Sequence, residues 1–229
     1  MDYKREFIEF MVRSDVLTFG DFVTKSGRNT PYFINTGNYR TGRQITQLGK
    51  FYSACIMENM RAGRISEETN VLFGPAYKGI PLAVATSSAL DTIYGKNVNF
   101  CFNRKEKKDH GEGGNMVGHT LKAGDRVLIT EDVITAGTAV RESLPLLLAT
   151  EGVKVEGLIV SVDRMERGTG EKTAIAELYD DYGIPVYPIV TIREIIDTMH
   201  NKEIDGKIYI DDDMREAMEN YLKMYCAKA

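Results

Sequence analysis

Two adjacent carboxylates, Glu131 and Asp132, end an apolar run at residues 127–130 and stand just before the small turn TAGT at residues 135–138. A Thr/Ala/Gly turn between a strand and a helix offers unpaired backbone N–H groups and the positive end of a helix dipole, the ingredients of an anion site. Gly137 permits close backbone approach, and Thr135 and Thr138 bring hydroxyl donors. Carboxylates beside such a cup would repel a bare phosphate, so something must lie between them. Sugar hydroxyls, which donate to carboxylates, or a hydrated Mg2+ ion would serve. A ribose 5-phosphate satisfies both halves of the stretch 127–140.

Three further segments carry charge where chemistry could use it. GPAYKG at 74–79 sets Tyr77 and Lys78 between two glycines that allow backbone to approach a ligand. NRKEKKDHGEGGN at 103–115 holds Arg104, Lys105, Lys107 and Lys108 against Glu106 and Asp109, a local charge of 4 − 2 = +2, and His110 can add another. Its glycines 111, 113 and 114 suit a hinged lid that closes cations over an anion and excludes water. DRMERG at 163–168 supplies Arg164, whose planar fork can pair with a carboxylate through two parallel bonds.

The elements between these segments alternate. Phe7, Phe10, Met11 and Val12 predict a first helix, and LTFGDFV and PYFIN predict short strands around TKSGRNT. Ile45, Leu48, Tyr52, Cys55 and Ile56 keep helical spacing. Then come strand VLFG, helix IPLAVATSSAL, strand NVNFCF, a long polar loop, strand RVLITED, a helix over 138–149, strand VEGLIVSVD, helix EKTAIAELYDDY and strand PVYPIV. Gly183 suits a helix C-cap, TIRE at 191–194 has the form of a capping box, and a last helix is predicted over about 211–226 on three aspartates. The pattern implies an α/β fold with a central, mainly parallel sheet flanked by helices. Ligands then lie beyond the carboxyl ends of strands, where the strand order reverses, and each charged segment above follows a predicted strand.

Composition narrows the classes. A chain of 229 residues can bury a substantial core, and a net charge of −4 argues against non-specific nucleic-acid binding. Cys55, Cys101 and Cys226 show no metal or disulfide spacing, which favours packing roles in a reducing, cytoplasmic compartment. The stretch 1–16 mixes acids and bases without an apolar core, so it reads as neither secretory signal nor membrane anchor. GTGEKT at 168–173 fails as a nucleotide-binding P-loop because Glu171 separates Gly170 from Lys172. His119 and His200 are isolated and read as surface or packing residues; no fixed protein metal ligand is assigned.

The stretch 127–139 resembles the phosphoribosyl pyrophosphate (PRPP) signature of type I phosphoribosyltransferases, and KSGRNTPYFIN, GPAYKGIPLA, the 103–115 segment and SVDRMERG together resemble the orotate phosphoribosyltransferases. The resemblance implies one phosphoribosyltransferase domain: an N-terminal hood over about 1–40, an α/β core over about 41–200 and a C-terminal helical extension over about 201–229. It implies that Lys25, Tyr77, Lys78, Arg104, Lys105, Lys108, His110, Glu131, Asp132, Val133, Ile134, Thr135, Ala136, Gly137, Thr138 and Ala139 bind PRPP, and that Phe33, Ile34, Thr135 and Arg164 bind orotate. Lys108 leads the catalytic candidates, with Lys105, Arg104, His110, Lys25 and Asp132. Many relatives carry a second phenylalanine where this chain has Ile34, so backbone contact rather than ring stacking is expected there. The resemblance further implies Mg2+ carried mainly by PRPP, and a homodimer in which the catalytic loop reaches the neighbouring subunit's site. A purine phosphoribosyltransferase or a PRPP-sensing regulator on the same fold is the alternative.

Overall fold

The computed structural model describes residues 3–24, 27–108, 114–134, 137–167 and 170–226. Helix α1 (Tyr3–Arg13) buries Phe7, Ile8, Met11 and Val12 along one stripe. Strands β1 (Leu17–Val23) and β2 (Asn29–Ile34) pair antiparallel as a separate two-stranded sheet, and a 3-10 turn, Thr36–Asn38, leads from it into the core. Helix α2 (Gly42–Arg61) opens on a capping box in which Thr41 Oγ1 accepts the Gln44 N–H and Gln44 Oε1 accepts the Thr41 N–H.

Strands β3 (Val71–Gly74), β4 (Asn99–Lys108), β5 (Gly114–Gly118), β6 (Arg126–Thr130), β7 (Lys154–Asp163) and β8 (Val186–Thr191) form one sheet in the order β5-β4-β3-β6-β7-β8. Every neighbouring pair is parallel except β4 with β5. Alternate residues of the apolar runs feed two cores. Leu72, Leu128 and Ile159 point to one side, among residues of α1, α2 and α3 (Gly79–Tyr94). Val71, Phe73, Val127, Ile129, Leu158 and Val160 point to the other, under α4 (Thr138–Leu148) and α5 (Ala174–Tyr182). Burial on both faces is why these strands read as unbroken apolar runs instead of alternating ones. From β3 the chain goes outward to β4 and β5, then returns past β3 to β6, so the strand order reverses at the carboxyl ends of β3 and β6.

The chain closes with α6 (Ile192–Met199), the small hairpin β9 (Glu203–Ile204) and β10 (Lys207–Ile208), and α7 (Asp212–Tyr225). The expected caps are present. Gly183 is left-handed at φ 66° and donates to Tyr179 O, Thr191 and Glu194 form the capping box of α6, and Asp211 caps α7. One expectation is corrected, and one element goes beyond those expected. Residues 103–108 continue β4 instead of entering a loop, and β5 returns beside them with Lys108 opposite Gly114. This edge hairpin is held by its backbone ladder, and the charged run RKEKK at 104–108 offers no apolar period to read. The β9–β10 hairpin, two residues per strand, was also unpredicted. Cys55 and Cys101 are buried, as expected of packing residues. Among the described residues no helix is long and apolar enough to cross a membrane.

Candidate active site

The turns after β3 and β6 meet at the reversal. Between them lies a cleft of about 340 Å3 lined by residues 76–78, 131–134 and 137–140. One wall is the start of α4, where Gly137 is left-handed (φ 67°) and no side chain caps the first turn, so backbone donors of that turn face the ligand side. The other is the start of α3, whose N-cap, Lys78, likewise makes no side-chain cap. Gly79 is required at this crossing: a Cβ there would stand 2.8 Å from Thr130 O and 2.7 Å from Pro75 Cδ, too close for either. The Ala76–Tyr77 peptide preceding it is cis, and Asn103 Oδ1 accepts the Ala76 N–H at 2.8 Å, tying the turn to β4.

The acidic pair is held from beneath. Tyr52, buried in α2, donates to Glu131 O at 2.7 Å, and Ser161 Oγ on β7 donates to Asp132 O at 2.5 Å. Above it, Lys78 Nζ donates to Asp132 Oδ2 at 2.8 Å and to Thr36 Oγ1 at 2.9 Å, while Thr36 Oγ1 donates to the same Asp132 oxygen at 2.5 Å. The two acids are therefore unlike. Burial pushes Glu131 up to about 8, with the Asp132 carboxylate adding to the rise against an opposing bond from the Asp132 N–H. Burial would also raise Asp132, but the bonds from Lys78 and Thr36 outweigh it and hold that carboxyl below its usual range. The site thus keeps one ionised acid with a resident cation, and one acid poised near neutrality.

Arg164 lies just past β7, adjacent to the cup through the Val133–Val162 bridge. Its Nη2 and Nε reach Glu166 Oε1 at 2.7 and 3.1 Å, and its guanidinium lies over the Tyr32 ring at 5.4 Å. The segment 32–36 consequently spans from Arg164, contacted by Tyr32, to Asp132, contacted by Thr36, with Phe33 and Ile34 between. Phe33 is 39% exposed and touches the Phe22 ring at 5.7 Å. Ile34 packs against the larger core, which fits its lack of an aromatic ring.

The structure therefore brings together Tyr77, Lys78, Glu131, Asp132, Val133, Ile134, Gly137, Thr138 and Ala139 around one cleft, with Arg164 beside it. Tyr77 is largely exposed there. Lys105, on the β4–β5 hairpin, instead pairs with Glu142 at 3.5 Å, and Arg104 precedes it on the same strand. Lys25, His110, Thr135 and Ala136 lie outside the described residues, as does the lid segment 109–113, and for Lys108 the description covers the backbone alone. His119 and His200 pair with Asp125 and Asp212, each at 2.8 Å, in keeping with packing roles. Sequence reasoning missed Thr36, Tyr52, Asn103, Ser161 and Glu166. Each acts through a contact between segments distant in sequence, which no local spacing signals.

No group of three or more His, Cys, Asp or Glu residues that could hold a metal ion stands among the described residues. Glu131 and Asp132 are the carboxylates at the cleft near which a hydrated Mg2+ carried by a substrate would be held.

A twisted, mostly parallel sheet with an acid pair and an uncapped helix start at its reversal defines a phosphoribosyltransferase fold, and residues 35–184 match the phosphoribosyl transferase domain model. The chain is 54% identical to the orotate phosphoribosyltransferase of Clostridium acetobutylicum and 53% identical to that of Clostridium beijerinckii, over 99% of each chain in both comparisons. It is also similar to the crystal structure of orotate phosphoribosyltransferase from Francisella tularensis, with a TM-score of 0.81 at 33% identity, covering 96% of this chain and 99% of that one. The chain belongs to the orotate phosphoribosyltransferase family.

Proposed function

We infer that the protein is a pentosyltransferase that moves the 5-phosphoribosyl group from PRPP to N1 of orotate, giving orotidine 5-monophosphate and pyrophosphate in de novo pyrimidine (UMP) biosynthesis. The observation that carries this reading is the adjacency of two unlike grips. A cup of backbone donors fronted by Glu131 and Asp132 suits a phosphorylated ribose, and Arg164 beside it suits a base bearing a carboxylate.

In this reading the α4 start holds the 5-phosphate through its backbone donors, and Asp132 accepts hydrogen bonds from the ribose hydroxyls. Lys78 moves from Asp132 to the pyrophosphate as substrate enters. Lys25, Arg104, Lys105, Lys108 and His110 complete the positive surface that stabilises charge growing on the leaving group, the electrostatic term that dominates when bond breaking runs ahead of bond making. Phe33 offers a flat apolar face to the pyrimidine, while Ile34 and Thr135 contribute backbone contacts. Mg2+ carried by PRPP would be held near Glu131 and Asp132 and would supply charge neutralisation for the pyrophosphate.

We also propose a homodimer in which the 103–115 segment reaches the partner's cleft. Supporting it, α3 runs outward from the cleft and exposes two apolar side chains, Val84 and Ile93, at 40% and 48%. Three unpaired cysteines accord with work in the cytoplasm. The test is a panel of PRPP and Mg2+ with orotate, uracil, adenine and hypoxanthine, following loss of free base and release of pyrophosphate. Orotate alone should be consumed. Purine turnover, or PRPP binding with no turnover, would replace this reading with a purine enzyme or a PRPP sensor.

A further inference from the structure

Glu166 has no place in the scheme above, yet its Oε1 collects four donors: Arg164 Nη2 at 2.7 Å, Arg164 Nε at 3.1 Å, and the hydroxyls of Tyr32 and Tyr221, each at 2.9 Å. The tyrosines come from opposite ends of the chain. Tyr32 lies in β2, one residue before Phe33, and Tyr221 lies in α7; their rings meet edge to face at 5.8 Å. Burial pushes Tyr221 up to about 12 and Tyr32 well above its ordinary value, so both phenols stay protonated and donate. The backbone is fastened as well. Glu166 forms a bridge with Cys226, Arg167 N donates to Tyr225 O at 2.9 Å, and Arg167 Nη2 donates to Met224 O at 2.5 Å.

A guanidinium has two edges that can grip a carboxylate in parallel bonds: the side formed by Nε with one terminal nitrogen, and the end formed by both terminal nitrogens. Glu166 takes the side edge of Arg164. The end edge shares Nη2 with that pair through its other hydrogen and adds Nη1, which makes no bond to Glu166, and the tyrosine below limits rotation of the plane.

Resting on the assignment of Arg164 to the orotate carboxylate, we propose that Glu166 is a positioning residue for base recognition, orienting Arg164 so that its Nη1–Nη2 end receives the substrate carboxylate, with α7 bracing Glu166 through Tyr221. The C-terminal helix is thereby part of base recognition, although it lies outside the matched family domain at 35–184. Two phenols on the same oxygen share the negative charge of Glu166, so the guanidinium keeps attraction for a second anion.

The experiment compares Glu166→Ala, Glu166→Gln, Tyr221→Phe and Arg164→Ala in the full chain, measuring KM for orotate and for PRPP, kcat and Tm. Glu166→Ala should raise the orotate KM about 10-fold or more, the worth of an aligned bond to a charged group, and leave the PRPP KM within about twofold. Glu166→Gln keeps an oxygen acceptor in place and should restore most of that loss. Tyr221→Phe, which folds without a new cavity, should raise the orotate KM about threefold. A general structural role would move both KM values and Tm together, and that result overturns the proposal. So does a fall in orotate KM for Glu166→Gln, which would make Glu166 a competitor for Arg164. An unchanged orotate KM in Arg164→Ala would remove Arg164 from the base pocket and the inference with it. A raised KM there with no effect of Glu166→Ala or Tyr221→Phe would sink the inference alone.

Discussion

Replacing Lys78 by alanine separates what the lysine does for the fold from what it does for the reaction. In the free protein its ammonium makes two bonds, to Asp132 Oδ2 at 2.8 Å and to Thr36 Oγ1 at 2.9 Å. Breaking a buried ion pair by removing one member costs roughly 3–5 kcal/mol. That figure does not apply here, because the Lys78 side chain is 61% exposed while that of Asp132 is 13% exposed. Water can reach the lysine side of the pair, and Thr36 still donates to Asp132 after the change. The exposed-pair scale of about 1 kcal/mol or less is the appropriate one, which for a chain of this size lowers Tm by roughly 2–4 °C. The catalytic loss should be far larger. If Lys78 stabilises charge on the departing pyrophosphate, its removal resembles loss of one oxyanion donor, about 2.7–4 kcal/mol or 10²–10³ in rate. Melting curves and initial rates of orotate consumption at varied PRPP measure the two effects on the same preparation. A loss under about fivefold in kcat/KM for PRPP would refute the assignment of Lys78 to the leaving group, and a fall in Tm beyond about 10 °C would refute the exposed-pair scale for its bond to Asp132.

Other expectations follow from the same geometry. Glu131 has a folded value of about 8, raised chiefly by burial, so its contribution to stability is complete below its usual value near 4.5 and is lost as pH rises through 8. Tm of the ligand-free protein should therefore decline between about pH 4.5 and 8 and level off above that, and Glu131→Gln should flatten that decline; an unaltered slope in the variant would assign it to another group. Thr36→Val, nearly isosteric, removes the hydroxyl bridging Lys78 and Asp132 and should raise the PRPP KM several-fold, on the order of 1–2 kcal/mol of lost hydrogen bonding, while Thr36→Ser restores it. Equal KM values for valine and serine variants would show the bridge to be idle. Gly79→Ala drives a Cβ against Thr130 O and Pro75 and should cost about 1–3 kcal/mol or more, read as a lowered midpoint in urea; a wild-type midpoint would mean that the turn yields freely.

The α/β order was legible because its physics is local. Runs such as VLFG and VLIT are apolar at every position, since neighbouring residues feed opposite cores, and the caps at Thr191 and Gly183 depend on residues within one turn. The acid pair and the turn after it were legible for the same reason: strand, carboxylates and helix start are contiguous. What stayed hidden was held by distant partners. Residues 103–108 pair as a strand because β5 returns beside them, not because their side chains demand it. Tyr52 counts as one more apolar position of α2 until Glu131, just past β6, arrives to accept its hydroxyl hydrogen bond, and Glu166 looks like any surface acid until Tyr221 folds back from 55 residues away.

The segment 32–36 has a consequence for how the two substrates are handled. Tyr32 bonds Glu166, the carboxylate proposed to orient Arg164, and Thr36 bonds Asp132, the carboxylate proposed to meet the ribose, four residues apart on one short stretch. These residues run from the end of β2 into a single 3-10 turn, with Ile34 packed against the core between them. A displacement at one end cannot be absorbed by a long flexible linker, because none is present. If Lys78 leaves Asp132 for an incoming pyrophosphate, as proposed, Thr36 loses its ammonium partner and keeps only the acid. The position of the turn would then be set by Asp132 alone, with Thr36 three residues from Phe33 on the same stretch. Filling the sugar site should thus set the geometry of the base site, and binding of orotate should tighten when PRPP is present and lose that response in Thr36→Val. Calorimetric titration of orotate with and without PRPP, using both proteins, measures this coupling. Equal dependence on PRPP in the two proteins would show that the sites communicate by another route.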